Sequence, residues 1–213
     1  GKSFSSLSLA RKLAERGERI ALVDTDLRRS RMVSTYGVKF PQDSKKYGLS
    51  HYLAGIAEQD EVLYKTNVAG MDFVPVGREL LNPLPLLSSN RFQALLDRLA
   101  EAYDYVIVDA APVGVVIDAA EIAKYCDGIL LVVNYNQVHR QELIDAKAQL
   151  ENSGCPILGT ILNQVDYDGF TNKKYYYKSH YYSYYKAYEK GADEKGADEK
   201  GADEKGADEK KKG

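Results

Sequence analysis

The sequence has little of what marks a secreted, zinc-binding or membrane-spanning protein. Cysteine occurs only twice in 213 residues, at Cys126 and Cys155, in or beside apolar runs. That number argues against a disulfide framework, and the three histidines are too scattered to suggest a zinc site. No apolar run approaches the roughly 18–20 residues that a membrane-spanning helix needs, and no signal peptide is visible. A reducing compartment is therefore expected.

An excess of charge of one sign is also missing. Residues 191–213 hold six lysines and eight acidic residues, and the rest of the chain carries 23 basic and 23 acidic residues. A neutral body argues against a polyanion such as DNA as the main partner. No nucleic-acid partner is expected.

Short apolar runs alternate with amphipathic segments over most of the chain. The runs predict five strands, at Ile20–Asp24, Met71–Val76, Tyr105–Asp109, Ile129–Val133 and Ile157–Asn163. Their near-continuous apolar character is typical of parallel strands buried on both faces. Helical spacing predicts four helices, at Leu7–Arg16, Arg91–Tyr103, Asp118–Tyr125 and Arg140–Ser153. The alternation predicts an α/β fold, doubly wound, with a mainly parallel sheet and helices on both faces.

The pattern of strands and helices stops after Tyr167. Eight of the seventeen tyrosines then follow within fourteen positions: Tyr175, Tyr176, Tyr177, Tyr181, Tyr182, Tyr184, Tyr185 and Tyr188. GADEK repeats four times from Gly191 to Lys210, and its glycines each weaken a helix by roughly 1 kcal/mol. We therefore expect an α/β domain at 1–167, a tyrosine-rich tail at 168–190 and a disordered low-complexity tail at 191–213.

The N-terminal sequence GKS, Gly1 to Ser3, matches the second half of the phosphate-binding motif G-x-x-x-x-G-K-[ST]. In that motif, N–H groups at a helix N-terminus cradle phosphate, the lysine reaches the terminal phosphates and the hydroxyl holds Mg²⁺. Three such letters also occur by chance, and an ordinary helix cap is the alternative. The position favours the motif, because a helix and a strand ending in Asp follow it.

Two of the predicted strands end in acidic residues. Asp24 and Asp26 follow the first strand in ALVDTDLRRS, and Asp109 ends the strand in YDYVIVDAAP. Ligand crevices of open α/β sheets form at such carboxyl ends. Asp24 and Asp26 would face one metal–phosphate centre if the strand continued through both. Asp109 fits a Walker B strand, whose carboxylate holds a water on Mg²⁺. Solvated loop starts are the alternative, but together with GKS these residues predict nucleotide binding.

Several motifs together resemble the bacterial tyrosine kinases of exopolysaccharide and capsule assembly. They are GKS, LVDTDLRR, YGLSHYLAG, NPLPLLSSNRF, YDYVIVDAAP and the tyrosine-rich C-terminus. The DxDxR arrangement is the most specific, since related partitioning and Min-type ATPases usually lack its arginine. DAAP replaces the more usual DTPP, and RRS stands where the family often has RRP. The family's first strand and early P-loop glycines would precede Gly1, so we expect a piece of a longer protein.

The resemblance implies three catalytic residues, Lys2, Asp24 and Asp26. Lys2 would bind the β- and γ-phosphates, and Asp24 would act as base or orienter for the incoming tyrosine hydroxyl. The Mg²⁺ would be held by Ser3, Asp26 and Asp109.

The same resemblance implies ATP as the nucleotide, contacted by Gly1, Lys2, Ser3, Phe4 and Asn163. Asn163, which ends the last predicted strand, would read the adenine. The eight tyrosines of 168–190 would be phosphoacceptors in a neighbouring copy. Each phosphate adds roughly −1.5 to −2 charges, enough to break or reverse an oligomer contact. An aromatic helix face and a sticky binding segment are two other interpretations of these tyrosines.

We therefore expect an ATP-dependent protein-tyrosine kinase that autophosphorylates its tail in trans and regulates capsular or exopolysaccharide synthesis and export. The resemblance implies a cytoplasmic domain held at the inner face of the cell membrane by an adaptor of the polysaccharide co-polymerase type, separate or fused upstream. It also implies a homo-oligomer and a cognate protein-tyrosine phosphatase. A partitioning or Min-type ATPase switch and a non-catalytic P-loop scaffold are the alternatives.

Overall fold

The computed structural model describes residues 1–42, 45–114 and 116–165. This part of the chain contains six strands: β1 Ile20–Asp24, β2 Tyr64–Lys65, β3 Met71–Val74, β4 Tyr105–Asp109, β5 Ile129–Asn134 and β6 Ile157–Asn163. Its helices are α1 Lys2–Ala14, α2 Met32–Thr35, α3 Leu49–Leu53, α4 Gln59–Val62, α5 Leu84–Leu87, α6 Asn90–Ala102, α7 Asp118–Ala123 and α8 Arg140–Glu151. The expected tails at 168–190 and 191–213 lie outside the described residues.

A four-stranded sheet with the order β2-β3-β1-β4 forms the centre of the fold. Strand β1 lies parallel to both β3 and β4, and β2 is an antiparallel edge strand. Strands β5 and β6 form a separate parallel pair. The predicted α/β fold with a mainly parallel sheet is confirmed. Strand β2 is absent from the prediction because two residues leave no periodic pattern.

Strand β1 is buried throughout, with every residue at most 1% exposed. Ala21 and Val23 pack in one apolar cluster with residues of α3 and α6. Ile20 and Leu22 pack on the other face with residues of α1. Two covered faces explain why the run IALVD shows no alternation of polar and apolar residues.

The pair β5–β6 has less cover than β1. Leu130, Leu158 and Leu162 are 45%, 69% and 54% exposed, so the expectation of strands buried on both faces is wrong here. In the described chain, β4 pairs with β1 alone and β5 with β6 alone. A cavity of about 440 Å³ lies between them, lined by Val108–Asp109 of β4 and Ile129–Val132 of β5. The edges of β4 and β5 therefore border one cavity.

Several element ends differ from the prediction. Helix α1 begins at Lys2 rather than Leu7, so its serine-rich first turn is helical. The Ser5 N–H donates to the Gly1 carbonyl oxygen at 3.0 Å in this turn. Helices α6, α7 and α8 end one or two residues early, the usual uncertainty of helix boundaries.

Among the helices described, none combines the length and apolar composition needed to cross a bilayer.

Strand β3 ends at Val74, two residues before the predicted end. Pro75 has no N–H for a sheet hydrogen bond. The Pro75 and Val76 carbonyl oxygens instead accept hydrogen bonds from the Leu49 and Ser50 N–H groups, at 2.7 and 2.9 Å. The start of α3 is thus fastened to the carboxyl end of β3.

Close backbone packing explains why the first glycine of the YGLSHYLAG segment, Gly48, is a glycine. Gly48 precedes α3 and lies directly against the chain that leaves β3. A β-carbon added there would be 2.4 Å from both the Gly77 nitrogen and the Pro75 carbonyl oxygen. Backbone atoms cannot move aside as a flexible side chain can, so only glycine fits this contact.

Replacing Gly48 by alanine should lower the free energy of unfolding by about 2–3 kcal/mol, as expected for overpacking against backbone. The control is Gly159→Ala in β6, where an added β-carbon meets no atom within 4 Å. That variant should differ from the parent by less than about 1 kcal/mol. Urea denaturation followed by circular dichroism measures both, and equal loss in the two variants would contradict the tight contact.

Candidate functional site

The in-register pairing of β1 with β4 brings two predicted acidic residues together. Asp24 and Asp109 are direct Cα partners in the parallel ladder, and they are only 1% and 3% exposed. Thr25 fixes this end of the ladder, because its N–H and its hydroxyl both donate to the Asp109 carbonyl oxygen, at 2.8 and 2.7 Å. The carboxyl ends of the two strands therefore form one buried acidic edge.

Burial controls the charge of both carboxyl groups. Loss of water raises the pKa of Asp24 from 3.8 to about 7. A hydrogen bond from the Ser30 hydroxyl opposes this rise in pKa, and the charge of Asp109 adds to it. Burial also raises the pKa of Asp109, while hydrogen bonds from Ser3 and Ser6 lower it. Neither carboxylate has a bidentate basic partner in the described chain. Ionising either carboxyl group at this edge therefore carries an electrostatic cost.

Asp26 reaches the same region by a different geometry from the one predicted. Strand β1 ends at Asp24, so the two carboxylates do not project in parallel from a continuing strand. The chain turns instead: the Asp26 N–H donates to Asp24 Oδ1 at 3.2 Å. The Asp26 carboxylate accepts the Arg29 N–H at 3.1 Å. Its charge still acts on Asp24 and Asp109, raising the pKa of each.

The N-terminus of α1 lies beside this acidic edge. Lys2 and Ser3 open the helix, whose first turn has no acidic residue and no side-chain cap. The Ser6 hydroxyl donates to Asp109 Oδ1 at 2.9 Å, and the Lys2 charge lowers the pKa of Asp109. The predicted nucleotide contact Phe4 is 49% exposed.

Asn163 lies at the same helix N-terminus, together with a residue that the prediction lacks. Asn134 and Asn163 end β5 and β6 as register partners, and Asn163 Nδ2 donates to Asn134 Oδ1 at 3.3 Å. A β-carbon placed on Gly1 would be 2.9 Å from Asn134 Oδ1 and 3.3 Å from Asn163 Nδ2. Two carboxamides therefore border the start of α1, and Asn134 also lines the cavity between β4 and β5.

Sequence patterns could have located some of the residues that were missed. Ser6 follows Ser3 by three positions, which places both on one helix face. Asn134 ends a strand just as Asn163 does. Thr25 and Ser30 carry no such signal, because their contacts depend on how the turn after β1 folds.

No group of three or more His, Cys, Asp or Glu side chains close enough to hold a metal is found among the described residues. The predicted Mg²⁺ ligands Ser3, Asp26 and Asp109 thus form no direct protein cage. The set nevertheless suits Mg²⁺, which prefers oxygen ligands and keeps several waters. That these three hold Mg²⁺ stays a prediction. The eight predicted acceptor tyrosines lie outside the described residues.

Comparison with known proteins gives one consistent family. Residues 1–151 match a family model described as an AAA domain. The chain is 39% identical over 166 residues to tyrosine-protein kinase CpsD of Streptococcus agalactiae serotype III (strain NEM316), covering 78% of this chain and 70% of CpsD. It is 34% identical over 165 residues to tyrosine-protein kinase ptk of Acinetobacter johnsonii, covering 78% of this chain and 22% of that protein.

Solved structures agree with the sequence relatives. The kinase domain of Escherichia coli tyrosine kinase ETK has a TM-score of 0.72 at 32% identity, covering 85% of this chain and 68% of that one. The septum site-determining protein MinD of Pyrococcus horikoshii OT3, complexed with Mg-ADP, has a TM-score of 0.61 at 24% identity, covering 76% and 64%, a likeness of fold alone. With these matches, the buried acidic edge and the helix N-terminus beside it, this chain belongs to the bacterial tyrosine-protein kinases, on a P-loop ATPase fold.

Proposed function

We propose that the protein is an ATP-dependent tyrosine kinase that phosphorylates tyrosines of 168–190 in a neighbouring copy. The observation that carries the proposal is the buried pair Asp24–Asp109 beside the N-terminus of α1. The helix N-terminus suits phosphate and the carboxylates suit a cation, which are the two halves of a metal–nucleotide complex. Membership of the bacterial tyrosine-protein kinases indicates tyrosine as the residue that accepts the phosphate.

The phosphates would lie on the first turn of α1. Its N–H groups are free of side-chain caps, and Lys2 would add a positive charge next to the γ-phosphate. Ser3, Asp26 and Asp109 would hold Mg²⁺, which neutralises charge on the phosphates when bound. The fit is supported by two buried carboxyl groups whose pKa values are raised by burial, because a cation removes that electrostatic cost.

Asp24 is proposed to act on the acceptor tyrosine. Burial raises the pKa of Asp24 to about 7, whereas an ordinary aspartate has a pKa near 4. Its carboxylate is therefore a stronger base than that of an ordinary aspartate. As the phenol oxygen bonds to the γ-phosphorus, the bond from phosphorus to the ADP oxygen breaks and the phenol proton moves to Asp24. The Ser30 hydroxyl holds the Asp24 carboxylate in place.

Asn163 is proposed to read the adenine, with Asn134 as its neighbour. A carboxamide both donates and accepts, which matches the amino group and ring nitrogen of adenine. The hydrogen bond between Asn163 and Asn134 orients both carboxamides beside Gly1.

The cavity between β4 and β5 is proposed to receive one further strand, from a segment upstream of Gly1. The cavity is bordered by two unpaired strand edges in the described chain and also by Gly1 and Lys2. A strand that fills it would run directly into the start of α1 and complete the loop that cradles phosphate.

Phosphorylation of the tail is proposed to regulate capsular or exopolysaccharide synthesis and export. The protein would work as a homo-oligomer at the inner face of the cell membrane, through an adaptor of the polysaccharide co-polymerase type, with a protein-tyrosine phosphatase reversing the modification. The relatives differ in length, since the matched region is 70% of CpsD but 22% of the Acinetobacter johnsonii protein, so the adaptor is proposed as separate or fused.

Incubating a version extended upstream of Gly1 with Mg-ATP should place phosphate on tyrosines between Tyr175 and Tyr188, mapped by mass spectrometry. Lys2→Met and Asp24→Asn should each reduce phosphotyrosine by about 100-fold or more, because each removes charge aimed at the reacting groups. Lys12→Met is the matched control, since Lys12 lies on the same helix but pairs with Glu15 at the surface.

That experiment also tests the alternatives. ATP hydrolysis without phosphotyrosine would favour a Min-type switch, which the MinD-like fold makes the second candidate. Neither activity would leave a non-catalytic scaffold.

The proposed upstream strand makes a separate prediction. The 213-residue chain should bind a fluorescent ATP analogue at least about tenfold more weakly than the extended version, a difference of roughly 1.4 kcal/mol. The reason is that the proposed strand would fill the cavity beside Gly1 and complete the loop that cradles phosphate. Fluorescence titration measures both, and equal affinities would contradict the proposal.

A further inference from the structure

The side chain of Arg28 joins two distant segments of the chain. Its Nε and Nη2 donate to Asp118 Oδ2 and Oδ1, at 2.6 and 3.1 Å. Its Nη1 donates to the Leu81 carbonyl oxygen at 2.8 Å. We call this set of three hydrogen bonds the Arg28–Asp118 clasp. A two-pronged pair of this kind fixes direction as well as distance.

The clasp is partly shielded from water. The Asp118 side chain is 2% exposed and the Arg28 side chain 32%. Asp118 is the first residue of α7, so its carboxylate also lies at a helix N-terminus. A buried ion pair is weak evidence for stability, and such pairs serve in some proteins to fix one arrangement among several. The clasp is therefore a candidate for fixing geometry.

What the clasp fixes is the turn after β1. Thr25, at one end of the turn, is bonded to the Asp109 carbonyl oxygen. Leu27 and Arg28, at the other end, are bonded to the Leu80–Leu81 segment and to Asp118. The turn is thus held at both ends by residues far away in the sequence.

Asp26 lies between these two anchors. Its own hydrogen bonds stay within the turn, to the Arg29 N–H and from its N–H to Asp24. They tie Asp26 to Asp24, the ladder partner of Asp109, but they do not fix the far end of the turn. The anchors at Thr25 and Arg28 must therefore set the distance from Asp26 to Asp109.

We propose that Arg28 and Asp118 are positioning residues that hold Asp26 in register with Asp109 for a shared divalent cation. This inference rests on the proposed metal–nucleotide role of the site. Neither residue touches the cation, and both act through the backbone of the turn. A carboxylate displaced by about 1 Å loses much of its effect on a bound cation, so loosening one anchor has a cost at the site.

The test compares Arg28→Lys and Asp118→Asn with Arg29→Lys in the full 213-residue chain. Lysine keeps the charge of Arg28 but cannot make the two-pronged contact. Arg29 is the adjacent control, because its side chain is exposed and makes no ion pair within the described residues. Each variant is titrated with fluorescent ADP at stepped Mg²⁺ concentrations and again in EDTA.

Arg28→Lys and Asp118→Asn should each raise the Mg²⁺ concentration for half-maximal nucleotide binding by about tenfold. Affinity in EDTA, which depends on Lys2 and α1, should be unchanged. The double variant should be no worse than either single one, since each removes the same clasp. Arg29→Lys should match the parent chain.

A purely structural role gives a different result. General loosening of the fold would lower affinity equally with Mg²⁺ and in EDTA, and this would overturn the inference. The inference would also be overturned if Arg28→Lys and Asp118→Asn needed the same Mg²⁺ concentration as Arg29→Lys. It would be overturned as well if nucleotide binding by the parent chain did not depend on Mg²⁺. Because no phosphoryl transfer is measured, a failed kinase assay leaves this result standing, and a failed clasp leaves the kinase proposal standing.

Discussion

The in-register pairing of β1 with β4 is the constraint on which the rest of the site depends. It sets Asp24 opposite Asp109 at the carboxyl edge of the sheet, and the packing of β1 on both faces removes water from that edge. Ionised carboxyl groups held this way repel each other and lose hydration. The Ser6 hydroxyl of α1 donates to Asp109, and the Ser30 hydroxyl of the turn after β1 donates to Asp24. These hydrogen bonds offset part of the cost of burying the two carboxylates.

Features of the fold that depend on neighbouring residues could be predicted from the sequence. The runs ending at Asp24 and Asp109 predict parallel strands, and β1 and β4 pair in this way, although only β1 is buried along its whole length. A carboxylate that ends such a strand lies at the crevice of an α/β sheet. The position of Asp26 was predicted for the wrong reason, because the end of β1 depends on the hydrogen bond from Thr25 to the neighbouring strand. The link between Arg28 and Asp118 spans 90 positions, and no spacing rule connects residues so far apart.

The strands β5 and β6 show a second limit. Their apolar runs predict burial on both faces, yet Leu158 and Leu162 are exposed in the described chain. Local composition records the surroundings for which a strand is suited, whereas its actual cover depends on which other elements pack against it. Close contacts of backbone with backbone are equally invisible in composition, as at Gly48 beside Pro75 and Gly77.

The burial of Asp24 and Asp109 has a thermodynamic consequence for the whole domain. Ionised carboxylates without water weaken the folded state, and the proposed cation, if it binds only the folded chain, would offset that cost. Occupancy and folding are then linked equilibria: a ligand at 100 times its dissociation constant adds about 2.7 kcal/mol of stability. With the proposed metal–nucleotide complex bound, the free energy of unfolding would therefore rise with the concentrations of metal and nucleotide.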